Sequence, residues 1–406
     1  MKKIIPLMLL IFYASSIFAQ ILTLNQGKIK QKHYLQEIPY QKIQGLFIVP
    51  VTINGKIYNF LFDTGATLAI SDKIWKELNL RVVKQINAFD ESGAKATMKL
   101  ILLPEIDIQG ITFLNTPGVV FLENAESSKL AECYGIDGVI GSNMVRKSVV
   151  QFNVQNKQII ITDNIKKLAL QTNACQKMKL SFWQSSPHIN ITLQKGAHRA
   201  VHNVLFDTGN SGFFNLSFKD LNGHVVDTIV ETEGWYGFGS HGFYKKQNHI
   251  LLNIPKFDVS GTIFNDVMAT TTSGDASGIG TKFLQYGKTT LDYKKKRFYF
   301  EPFNHINTNK PVENLWAISP TVQNDKLVVG IIWNKQLESQ INLGDEILSI
   351  KGIDIQGMNL CELSMLEIPS EGKNIYELRD INTGEIKKVE IEPLQFIKDN
   401  ENDAKE

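Results

Sequence analysis

The sequence predicts a mainly β protein, with two equivalent β lobes sharing one cleft and a small β/α domain after them. Three observations predict it. Residues 59–65, NFLFDTG, recur as residues 203–209, NVLFDTG, at an offset of 144. GVIGSNMVRKSVVQFNVQNKQIII over 138–161 matches GIGTKFLQYGKTTLDYKKKRFYF over 278–300, setting Ile140-Gly141 against Ile279-Gly280 at an offset of 139. Short apolar–polar alternations, punctuated by Gly and Asn turns, run through both stretches. Self-similarity on this scale reads as a duplication of units of about 120 residues.

The elements follow in chain order. MKKIIPLMLLIFYASSIFAQ has a basic start, an apolar run and small residues before Ala19. Residues 1–19 are therefore expected to be a signal peptide, because the run falls short of the ~20 apolar residues of a membrane span. Export to the periplasm or medium is expected, with no span after signal removal. Residues 20–43 form an N-terminal extension. In the first lobe, 44–163, stretches 47–53 and 57–62 alternate around Asn54-Gly55, a strong hairpin signal. Further strands are expected at 99–103, 119–121 and 158–161. A helix is expected over 71–80, capped by Ser71, with Ile74 and Leu78 on its apolar face. The second lobe, 176–303, repeats the order through 189–193, 201–206, 250–254 and 297–300. Residues 164–176 read as the crossover and 304–313 as a polar linker. The third domain, 313–395, is expected to hold strands at 326–332, 376–380 and 388–391, a turn then a strand over 343–350, and a helix at 360–366. A polar tail, 396–406, follows.

Composition excludes several classes. Lys plus Arg total 43 and Asp plus Glu 41. Without Lys2 and Lys3 of the signal segment the balance is 41 against 41, which argues against a nucleic-acid partner. Cys133, Cys175 and Cys361 lack metal-site spacing. Export permits a Cys133–Cys175 disulfide, but an odd, scattered set predicts three reduced thiols. His198 and His202 lie four apart on a predicted strand, about 13 Å, too far to share one ion. The run from Lys294 to Arg297 reads as a solvated turn. Gly237 to Gly242 spells GFGSHG, a dinucleotide fingerprint, but no buried strand precedes it and no helix follows. No metal or cofactor is implied.

Chemistry concentrates in Asp63-Thr64-Gly65 and Asp207-Thr208-Gly209. An Asp ending a buried apolar strand costs several kcal/mol unless paired or hydrogen-bonded. Two equivalent units can pack about a pseudo-twofold axis on which both carboxyls meet. Each Gly permits a tight turn that brings backbone N–H groups to the carboxylate, and each Thr offers a hydroxyl to tie the turns together. Two touching carboxyls share one proton, so one can act as base while the other polarises a carbonyl.

These residues resemble the retropepsin-like aspartic peptidases, in a duplicated single-chain form, over about 44–303. Val139-Ile140-Gly141 fits that family's hydrophobic-hydrophobic-Gly signature, and Gly278-Ile279-Gly280 fits its Ile-Gly half. The resemblance implies Asp63 and Asp207 as the catalytic pair, with Thr64, Gly65, Thr208 and Gly209 supporting it. It implies acid-protease-like lobes and hydrolysis of peptide bonds in extended polypeptides by an activated water. It also implies hairpin flaps over the cleft, one with a tip at 90–93 including Gly93, the other carrying Trp235 and Tyr236. Asn210 stands where the family has Ala, Ser or Thr. That departure motivates the alternative of a non-catalytic peptide-binding protein with an inert second half-site. Ala66 supplies no hydroxyl to the carboxylate of Asp63, which should leave the pair less acidic.

Residues 344–352, GDEILSIKG, are similar to the Gly-Asp-x-Ile-Leu-x-Ile-Asn-Gly segment of PDZ domains. The resemblance implies a peptide ligand added to an open sheet edge. Its Gly-rich carboxylate-binding loop has no counterpart in 315–320, LWAISP.

Overall fold

The computed structural model describes residues 23–89, 95–122, 125–171, 175–235, 237–239, 242–243, 245–303, 315–368 and 372–394. The expected signal peptide, the linker at 304–313, the first flap tip at 90–93, Tyr236 and the tail lie outside these residues.

The protein is mainly β, with two acid-protease-like lobes. In the first lobe, strands Leu46–Ile53 and Lys56–Asp63 form a hairpin. Asn54 (φ 48°) and Gly55 (φ 77°) both take the left-handed conformation that a tight two-residue hairpin needs. Strand Gly138–Gly141 runs parallel to Lys56–Asp63 and sets Gly141 opposite Asp63. Helix Asp72–Glu77 starts where Ser71 accepts a hydrogen bond from Ile74 N, 3.4 Å. It stops short of residue 80 because Asn79 turns left-handed, with φ 49°.

The second lobe repeats the plan. Strand His198–Phe206 pairs antiparallel with Pro187–Lys195 and parallel with Gly278–Ile279. Asp207 follows at the strand end, its N–H donating to Ile279 O at 2.8 Å.

A six-stranded sheet joins the lobes. At its centre strand Val149–Asn153 of the first lobe runs antiparallel to Gly287–Asp292 of the second. Val150 faces Leu291, Gln151 faces Thr290 and Phe152 faces Thr289. At the offset of 139, Val150 corresponds to Thr289 and Phe152 to Leu291, so the pairing exchanges equivalent positions. The local twofold therefore passes between Gln151 and Thr290, where Gln151 Nε2 donates to Thr290 Oγ1 at 2.9 Å. The hairpin turns on either side hold Lys157 and Lys296 at φ 52° and 53°. Beneath the sheet one apolar core spans both lobes, with the Phe152 ring 5.6 Å from Phe62 and 6.3 Å from Phe206.

The N-terminal extension is woven into this sheet. Strand Leu35–Pro39 pairs with Gln158–Thr162 at its edge, and Tyr34 is buried with its hydroxyl 2.8 Å from Ser148 Oγ.

The C-terminal domain is a sheet in the order Ile318–Gln323, Lys326–Ile332, Glu346–Ile350, Asn374–Arg379, Ile386–Ile391, with helix Leu360–Met365. The Gly-Asp of its motif has a structural role. Gly344 turns at φ 90°, and the fully buried Asp345 accepts hydrogen bonds from Asn342 N and Ile381 N and pairs with Lys387.

Cysteine pairing departs from the expectation of three thiols. Cys133 is bonded to Cys361, while Cys175 is free and exposed. The C-terminal domain docks so that helix Glu126–Cys133 meets helix Leu360–Met365, leaving the two Cα atoms 4.8 Å apart. Partners 228 residues apart in different domains leave no trace in local spacing.

Candidate active site

Each Asp-Thr-Gly loop is built mostly by the other. Thr64 N donates to Thr208 Oγ1 and Thr208 N to Thr64 Oγ1, both at 3.0 Å. The hydroxyls then donate across the axis, Thr64 Oγ1 to Phe206 O at 2.5 Å and Thr208 Oγ1 to Phe62 O at 2.6 Å. Both threonines are fully buried. Four reciprocal hydrogen bonds in a dry interface fix the spacing of the two strand ends.

The carboxyls emerge directly above. Asp63 Oδ1 accepts from Gly65 N at 2.7 Å and Ala66 N at 3.0 Å, and Asp207 Oδ1 accepts from Gly209 N at 2.8 Å. A Cβ on Gly65 would come 2.6 Å from Asp207 Oδ1, and one on Gly209 would come 2.4 Å from Asp63 Oδ2. Each carboxyl thus rests on the opposite glycine, in space that any side chain would take. Both aspartates keep some exposure, as residues on a cleft floor do, while protein encloses the rest. Burial pushes the Asp63 carboxyl well above the usual carboxylate range, with the Asp207 charge and the contact between the carboxyls adding to it. Burial also raises Asp207.

Behind the loops the Ile-Gly strands do matching work. Ser142 N donates to Ala66 O at 3.0 Å, and Thr281 N donates to Asn210 O at 2.8 Å. Asn210 therefore occupies the same backbone position as Ala66. Its side chain bonds forward, Oδ1 accepting from Gly212 N at 2.8 Å, so it tightens its own turn. Gly141 is required here, since a Cβ would lie 2.2 Å from the backbone of Thr67.

Three supporting contacts escaped sequence reasoning. Gln184 Nε2 and Ser186 Oγ, from the second lobe, both donate to Gly65 O, at 2.7 and 3.0 Å. Ser142 Oγ donates to Thr64 O at 2.7 Å and lies 2.8 Å from the hydroxyl of buried Tyr293, whose pKa burial raises. Ser142 follows the Ile-Gly signature directly, a position the sequence could have offered. Gln184 and Ser186 carry no motif.

The segment expected to form the second flap is engaged by its neighbours. From strand Asp227–Gly234 the chain continues to Trp235, whose N–H donates to Gly330 O of the C-terminal domain at 3.0 Å. Lys246 Nζ lies 5.8 Å from the Trp235 ring centre. Further along, Phe243 N donates to Glu126 Oε2 at 3.1 Å, and Phe243 packs on the C-terminal domain's core. Ile331 and Trp333 of that domain bury themselves against Leu251 and Met268. Of the decoys, His198 stacks with His224, and His202 lies 3.8 Å from Asp220.

Residues 49–144 match the family model described as aspartyl protease. The first lobe, with Asp63 in it, is thus similar to that family. No curated protein matches the chain. Among solved structures, a retropepsin-like aspartic protease from Rickettsia conorii is 19% identical, with a TM-score of 0.24, over 33% of this chain and 95% of that one.

Proposed function

We propose that the protein is an exported aspartic endopeptidase whose two lobes arose by duplication and supply one aspartate each. The observation that carries this reading is the seating of each carboxyl on the other loop's glycine, with burial raising both. Such a pair holds one proton between its members in the range where a free Asp would be ionised.

In the proposed reaction a water between the carboxyls loses a proton to the ionised one as its oxygen attacks the peptide carbonyl. The protonated carboxyl meanwhile donates to the carbonyl oxygen. Collapse of the tetrahedral diol breaks the C–N bond: the departing amine takes the proton from the protonated carboxyl, and one diol hydroxyl returns its proton to the other carboxylate. Thr64 and Thr208 position the two aspartates, and Gln184 and Ser186 hold the Gly65 carbonyl. The substrate is an extended polypeptide, since a cleft between two β lobes accepts a strand.

The non-catalytic alternative rested on Asn210. Its side chain turns toward Gly212 and its carbonyl serves the same partner position as that of Ala66, which supports a working second half-site. The C-terminal segment is read as a PDZ-like domain, and its hold on Trp235 and Phe243 gives it a part in placing the second flap.

A peptide with a secondary alcohol in place of the scissile carbonyl mimics the tetrahedral diol and tests the proposal. It should bind at least about a hundredfold more tightly than the matching substrate. Equal affinity for alcohol and substrate would favour the non-catalytic alternative.

A further inference from the structure

We propose that the concavity at the end of the interlobe sheet is a binding site for a polyvalent phosphate-bearing anion. Its volume is about 600 Å³. Six cations line it: Lys28, Lys32, Arg146, Lys147, Lys294 and Lys296. They come from three separate stretches of chain, two from each, including the turn between Gly287–Asp292 and Arg297–Pro302 that reads in sequence as merely solvated. Asp163 is the one acidic residue among the lining groups, and it is already engaged. Lys167, which does not line the cavity, lies 2.7 Å from its Oδ1, and His33 lies 3.6 Å from Oδ2.

None of the six has a carboxylate partner among the described residues. Arg146 spends two N–H donors on backbone carbonyls, Asn143 O at 2.5 Å and Gly27 O at 2.8 Å, and Lys147 reaches the same Gly27 O at 3.3 Å. Lys294 rests on Asp163 O at 2.6 Å. Sharing one carbonyl draws Arg146 and Lys147 together without neutralising either. Burial pulls both below their ordinary values, and at Lys147 the Arg146 charge adds to it. A chain with balanced overall charge has gathered six cations around one hollow, an arrangement that an anion relieves. A guanidinium and several ammoniums converging from different sides suit the many oxygens of a phosphate. Buried Tyr34, Tyr293 and Ser185 line it as well, beside Ile29 and Leu180.

Soluble phosphate esters and anionic lipid headgroups share this chemistry, and the test separates them. Titration calorimetry of the full chain with pyrophosphate, at about 0.1 M salt where exposed charges are screened beyond ~10 Å, should show one saturable site. Pyrophosphate should also raise Tm. Lys28→Gln/Lys32→Gln removes two rim ammoniums that form no described hydrogen bond and should weaken binding about tenfold or more. Arg146→Gln should do the same, but it also loses two structural bonds, so the lysine pair is the deciding variant. Sedimentation with phosphatidylglycerol vesicles, against phosphatidylcholine vesicles, assigns the source. Retention competed away by pyrophosphate marks a headgroup site; pyrophosphate binding without retention marks a soluble ligand. Absence of both saturable pyrophosphate binding and selective retention overturns the proposal, as does equal affinity in the lysine variant.

Discussion

Gly209 lies so close beneath Asp63 that a Cβ on it would come 2.4 Å from Oδ2, and Gly65 stands likewise 2.6 Å from Asp207 Oδ1. These glycines are needed for the space they leave to the opposite carboxyl. Gly65→Ala and Gly209→Ala should therefore separate the pair. The expected result is loss of peptide hydrolysis by about a hundredfold or more with circular dichroism unchanged. Full activity in either variant would mean that the carboxyls need not touch.

Stability should carry the imprint of the same pair. Both carboxyls are raised above their unfolded value, by burial first. The native state then binds protons more readily than the unfolded chain. Stability is greatest below the unfolded value and falls as pH climbs from there through the raised one. Asp63→Asn and Asp207→Asn remove that loss, so each should melt above wild type at pH 7 and gain nothing at pH 3. Lower Tm for both at pH 7 would contradict the assigned direction.

The proposed reaction needs one proton on the pair, so the pH–rate profile should be bell-shaped and centred in the mildly acidic to neutral range. Ala66 offers Asp63 a backbone N–H but no hydroxyl, which removes one influence that would lower it. A profile confined below about pH 4, where an ordinary carboxyl titrates, would be inconsistent with a raised pair.

The threonines tie lobe to lobe. Thr64→Val removes a hydroxyl that donates to Phe206 O and accepts from Thr208 N, stranding two buried polar groups. Thr208→Val does the same to Phe62 O and Thr64 N. Each should cost about 1–3 kcal/mol per stranded group in denaturant unfolding. A cost near zero for both would show the lobes held elsewhere.

Cys133–Cys361 fixes the C-terminal domain to the first lobe while Ile331 and Trp333 seat it on the second. Cys133→Ser/Cys361→Ser should leave the lobes folded and loosen the C-terminal domain from the first of them. Limited proteolysis should then cut faster between residues 303 and 315, with a larger radius of gyration in solution scattering. Unchanged cutting would mean that the apolar seat alone suffices.

Much of this was legible in the sequence, for identifiable reasons. The repeat exposed the two lobes because NFLFDTG and NVLFDTG serve identical positions about one axis. Asn54-Gly55 marked its hairpin because both residues accept positive φ. The cap at Ser71 makes the helix start legible, but its end is not, because the left-handed turn at Asn79 outweighs the apolar period. What stayed hidden depends on distant partners. Gln184 and Ser186 meet Gly65 only after the lobes close, and Cys133 meets Cys361 only after a third domain docks. The cationic hollow draws two residues from each of three distant stretches, and no one stretch of sequence gathers all six.

The most direct measurement is cleavage of an unfolded polypeptide by the purified chain, by Asp63→Asn and by Asp207→Asn, followed by mass spectrometry of the fragments. The proposed pair predicts internal cleavage by the wild type and a drop of at least about a hundredfold in each variant, because neither carboxyl works alone. Cleavage that persists at the wild-type rate in both variants would contradict it.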